Sequence, residues 1–148
     1  MYYLLSAISG VILTAQVAIN GRLLFFLESP ILTSLISFLV GTVSLLITYF
    51  AAAYYGLQPI PAVKTVLQTN AWMWTGGLLG AFYVFMTIFC SPKIGFANMS
   101  SLIVAGQIIT AILFDHFGFL GSQVHTITPT RLVGTVLLVI SVYLIQTN

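Results

Sequence analysis

Gln16, Asn20 and Gln107 have the clearest capacity for chemistry, because each places a carboxamide inside a run of apolar residues. A carboxamide brings two N–H donors and a carbonyl acceptor. In hydrocarbon these groups need partners, and leaving them unmet costs on the order of several kcal/mol. Interhelical hydrogen bonds inside a bilayer return only about 0.6 kcal/mol on average. That balance points to a task beyond stability, hydrogen bonding to a solute, with helix-to-helix adhesion as the competing role. Gln16 and Asn20 stand four apart in "TAQVAINGRL" and so share one helix face.

The elements that must carry these amides show polar or small stripes. Ser6, Ser9, Leu13, Gln16 and Asn20 follow steps of three and four, as do Ser34, Ser37, Gly41, Ser44 and Thr48. A third run presents Gly76, Gly80, Tyr83 and Thr87 with Gly77 beside them, and a fourth presents Ser100, Gln107 and Ala111. Small residues let helix backbones approach closely where lipid tails supply no hydrophobic drive, so close packing is the role expected of Gly76, Gly77 and Gly80. Ser37, Gly41 and Tyr83 join the three amides as the candidate solute-binding set.

Composition sets the solvent: 59% of the 148 residues are hydrophobic and only 4% are charged, with a mean hydropathy of +1.12. A soluble domain carries roughly a quarter of its residues charged. The chain is therefore an all-α integral membrane protein. Five apolar runs of roughly 17 to 26 residues, each long enough to cross about 30 Å of hydrocarbon, are expected at 3–24, 30–55, 71–91, 97–117 and 130–146, in one transmembrane domain. Ser29 with Pro30, and Thr128 with Pro129, read as helix starts, and "SPKIG" reads as a break at Pro92 and Gly95. Between Pro61 and Asn70 a short interfacial helix over 62–68 is expected. Strand-like alternation, the mark of a barrel, is absent from the sequence.

Five spans put the termini on opposite sides. Lys64 and Arg131 then lie on the N-terminal side, and Arg22 and Lys93 on the other, two against two. The positive-inside rule has nothing to act on, so insertion in both orientations is expected, with an inverted copy as partner. Tyr2, Tyr3, Tyr49, Tyr54, Tyr55, Trp72 and Trp74 fall toward the N-terminal side, and an inverted partner would restore the aromatic belt on the opposite one. Gln16 lies roughly two thirds of the way from the N-terminal side, and Gln107 near mid-depth, by rise per residue.

Several functions are disfavoured. No Asp, Glu, Lys, Arg or His falls in the middle third of any span, which argues against exchange of a proton for a cationic solute through a membrane carboxylate. Asp115 and Arg131 are placed to form an interfacial charge pair under the last loop. His116 and His125 have no paired nucleophile, so an enzyme is not expected. Cys90 is the sole cysteine, and no Cys/His cluster has metal-ligand spacing. No cofactor, metal or nucleic-acid partner is expected; the expected partners are lipid, a small solute and a second copy.

"QVAINGRL", "SPILTSLISFLVGT", "WMWTGGLLGAFYV", "VAGQIITAILFDHFGFLG" and "RLVGTVLLVI" together resemble the YdcZ-like family, a five-helix branch of the drug/metabolite transporter superfamily. The resemblance spans nearly the whole chain. It places Gln16, Asn20, Ser37, Phe38, Gly41, Tyr83 and Gln107 at motif positions, with Trp74, Asp115, His116, Gly118 and Arg131. It also adds Gly106 and Gly134 to the packing glycines. The resemblance implies a bacterial inner-membrane protein of transporter ancestry. Superfamily members with ten helices consist of two inverted five-helix halves, similar to what an antiparallel dimer of this chain would make. The absence of a first-span glutamate separates the chain from the small multidrug transporters and disfavours cationic drugs. The expected function is a subunit of a secondary transporter for a small neutral or zwitterionic solute. A helper that docks partners through its glycine faces, and one half of a hetero-pair, are the alternatives.

Overall fold

The computed structural model describes residues 1–121 and 123–147, and among them there is no strand. The helices are α1 (Tyr2–Leu27), α2 (Pro30–Tyr54), the short α3 (Val63–Leu67), α4 (Thr75–Ile94), α5 (Phe96–Phe117) and α6 (Pro129–Gln146), with 3-10 turns at Ala71–Trp74 and Phe119–Gly121. Five segments are long and apolar enough to cross a membrane: α1, α2, Ala71–Ile94, α5 and α6.

The helix ends follow from local chemistry. α1 stops where Glu28 adopts a left-handed conformation, φ 52°, while its N–H still bonds the Leu24 carbonyl at 2.8 Å. One residue later the Ser29 hydroxyl accepts from the Leu32 N–H at 3.3 Å, and Pro30 starts α2 where its missing N–H costs nothing. Thr128 caps α6 in the same way, accepting from the Arg131 N–H at 3.3 Å with Pro129 behind it. The "SPKIG" break falls later than the sequence implies. Pro92 lies inside the last turn of α4, where it forfeits only the bond to the Ile88 carbonyl, and the helix continues to Ile94. Gly95, at φ 85°, makes the actual break and precedes α5.

The chain divides into two compact units, Met1–Phe89 and Cys90–Asn148. In the first, α2 folds back along α1, and Phe38 of α2 reaches α4, with its ring Cζ 3.6 Å from where a Cβ on Gly80 would stand. In the second, α5 packs on α6. The loop between them is tied back to the end of α5: the His125 N–H donates to the Asp115 carbonyl at 2.8 Å and the Ile127 N–H to His116 Nδ1 at 3.4 Å.

The outer surface is apolar, unlike that of a soluble protein. Asn20, Thr33, Ser34 and Thr87 are buried beside Val17, Val84, Ile88, Met99, Ala105 and Val142, while most large aliphatic side chains are exposed. Lipid tails solvate Leu, Ile and Phe as well as a protein core would, so large apolar side chains can face outward without cost.

Candidate functional site

Most hydroxyls on the polar stripes satisfy themselves. Ser6, Ser9, Thr14, Ser34, Ser44 and Thr48 each donate to the carbonyl four residues earlier on their own helix, at 2.7 to 3.0 Å. They need no solute and no neighbouring helix. The amides lack that short-range option, and the structure separates them by what they find.

Asn20 is 5% exposed and donates from Nδ2 to the Ser37 Oγ at 3.2 Å, joining α1 to α2. Gln16, one turn earlier on the same face, is half-buried and makes no hydrogen bond with the described residues. Its side chain lines a cleft of about 170 Å³ with Ser37, Phe38, Gly41, Thr42 and Leu45. At Gly41 a Cβ would meet nothing within 4 Å. The glycine leaves room where a larger residue would project into the cleft. α1 has 26 residues and runs to Leu27, which places Gln16 about 21 Å along a helix of about 38 Å. The amide thus stands nearer mid-depth than the shorter span implied.

The other candidates are dispersed. Tyr83 is half-buried on α4 and does not line the cleft. Gln107 belongs to the second unit, is exposed, and makes no hydrogen bond with the described residues. Among the described residues, Gly80 is the one packing glycine whose added Cβ would meet a neighbour within 4 Å, the Phe38 ring. At Gly76, Gly77, Gly106 and Gly134 a Cβ would meet nothing within 4 Å. Asp115 and Arg131 form an ion pair at 3.6 Å, with side chains 38% and 40% exposed. At that exposure the pair contributes about 0 to 1 kcal/mol. Its neighbours His125 and His116 hold the loop through backbone N–H groups.

Phe38, Thr42 and Leu45 were missed as cleft residues by the stripe reading. The signal lay one position along: Phe38 and Thr42 follow Ser37 and Gly41, and a cleft between two helices is wider than a single stripe. Among the described residues no group of three or more His, Cys, Asp or Glu side chains could hold a metal ion. The cleft offers hydrogen bonds and space, with no charged side chain in its walls.

Neither a curated protein nor a solved structure matches the chain significantly. The profile of the family described as "Putative inner membrane exporter, YdcZ" matches residues 1–144, nearly the full length, and the chain therefore belongs to that inner-membrane family.

Proposed function

We propose that the chain is a subunit of a secondary transporter that moves a small neutral or zwitterionic organic solute by alternating access, working as an antiparallel homodimer with dual topology. The observation that carries this reading is Gln16, an unpartnered carboxamide near mid-depth beside a cleft. An amide held without a partner in hydrocarbon is expensive, and a solute with its own donor and acceptor relieves that cost when it binds. Mid-depth is also where secondary transporters hold their solutes, so both sides of the membrane have equal access. Asn20, Ser37 and Gly41 support the site: the first two fix α1 against α2, and the third keeps the cleft open.

The pairing part rests on charge and on surface. With Lys64 and Arg131 balanced against Arg22 and Lys93, neither orientation is preferred, and both are available to pair. At Gly76, Gly77, Gly106 and Gly134 a Cβ would meet nothing within 4 Å, and small residues of this kind let another helix approach closely.

The test is a thermal-shift screen of neutral and zwitterionic solutes, followed by flux into liposomes that contain the purified protein alone. A true ligand at a hundredfold excess over its Kd raises apparent stability by about 2.7 kcal/mol. Flux of that ligand supports the transporter. Binding without flux by the purified protein would favour a helper or a hetero-pair needing a second chain.

A further inference from the structure

The cleft beside Gln16 has a larger neighbour in the same unit. An apolar groove of about 540 Å³ runs between α2 and α4. Half-buried Ala81 and Phe85 and buried Ser34 lie low in it, and exposed Leu35 and Phe82 flank it on either helix. The Ser34 hydroxyl is already committed to the Pro30 carbonyl at 2.7 Å, so it adds little polarity to the groove. Phe38 lines both cavities. Ser37 and Phe38 are consecutive, about 100° apart around α2, so one turn presents a hydrogen-bonding group to one cavity and a ring to the other.

Size and chemistry bring the two together. Sites for organic ligands enclose about 300 to 1,000 Å³ and are mostly apolar with a few placed polar groups. The cleft alone falls short of that range and the groove alone lacks the polar groups. No charged side chain lines either one, and an uncompensated ion at this depth is costly. We propose that cleft and groove are head and tail subsites of a single binding site for an amphipathic solute of zero net charge, its polar head on Gln16 and its apolar chain along Ala81 and Phe85, with Phe38 dividing the two. This rests on the transporter reading above and narrows its substrate class.

The experiment measures binding of a homologous series, N-butyl to N-decyl dimethylglycine, to the purified full-length chain in nanodiscs of fixed lipid composition. Affinity should rise about fourfold per added methylene and then level off once the groove is full, since each buried methylene contributes about 0.8 kcal/mol. Ala81→Phe, or Leu35→Trp if the first variant loses its native size-exclusion profile, should flatten the chain-length dependence, so that the decyl compound loses most of its advantage over the butyl compound. Gln16→Leu should weaken every member by one common factor. The same chain-length slope in wild type and groove-filled variants would assign the effect to lipid partitioning and overturn the proposal. Binding that ignores chain length would also overturn it while leaving the polar cleft as the solute site. Cross-linking of two copies through Leu35→Cys in a Cys90→Ser background would give the groove to the dimer contact, and that too would sink it.

Discussion

Gln16 and Asn20 carry similar amide groups one turn apart, and their surroundings give them different work. Asn20 is buried against Ser37, so its removal acts on stability. Asn20→Leu and Ser37→Ala should each destabilise the α1 and α2 pair, and a double-mutant cycle read by denaturation should return a coupling of about 0.6 kcal/mol, at most about 1.7. Gln16 has no hydrogen-bond partner to lose among the described residues. Gln16→Leu should therefore fold as well as wild type or better, because it takes a polar group out of hydrocarbon. Ligand affinity should fall about 5- to 150-fold, the equivalent of a lost hydrogen bond of about 1 to 3 kcal/mol. Unchanged affinity in a well-folded Gln16→Leu protein would return that residue to a packing role. Spacing could show that the two amides share a face. It could not show that α2 places a hydroxyl over one and a glycine-lined cleft beside the other, because that depends on the register between two helices.

At the scale of the helix, the glycines of α4 divide in the same manner. A methyl on Gly80 would stand 3.6 Å from the Phe38 ring, an ordinary contact, so Gly80→Ala should be tolerated. Gly80→Leu must displace that ring and should lower the thermal stability of the chain itself. At Gly76 a Cβ would meet nothing within 4 Å, so Gly76→Leu should disturb the fold of the chain less than Gly80→Leu does. If α4 pairs with a second copy, its effect should appear as a shift from dimer to monomer in size-exclusion profiles. Identical behaviour of the Gly76 and Gly80 variants would show that the two positions face one surface. The caps of α2 and α6 were legible beforehand, because Ser-Pro and Thr-Pro act through neighbouring atoms alone. The end of α4 was less so: Pro92 reads as a breaker, yet within a final turn it forfeits a single bond, and the conformation of Gly95 decides the stop.

Across the whole molecule, the proposed dual topology rests on four basic residues. With two on each side, Cys90 should react with an impermeant thiol reagent from both faces in a population of cells. Labelling from one face, with Cys90 shown accessible in detergent, would end the dual-topology reading. Adding two lysines to the loop around Lys64 should fix the orientation, and activity should fall unless a variant fixed the other way is co-expressed. The Asp115 and Arg131 pair has no part in this balance beyond its single positive charge. Asp115→Asn should change stability by about 1 kcal/mol or less, since both side chains are more than a third exposed.

The sequence by itself determined the solvent, the helical class and the five segments able to span a membrane. Each follows from composition and from runs of residues that act over a turn or two, with no need of distant partners. It also marked the amides as anomalies, because a carboxamide in an apolar run is costly wherever its helix lies. Only the tertiary structure decided which amide is satisfied. Asn20 reaches Ser37 across seventeen residues of chain, while Gln16 is left beside a cleft whose walls come from another helix. It alone showed that Phe38 lines both the cleft beside Gln16 and the apolar groove, since each cavity is bounded by residues of two helices. A hydrogen bond is decided within about 3 Å, and the placement of one helix against another at that precision comes from packing, not from periodicity.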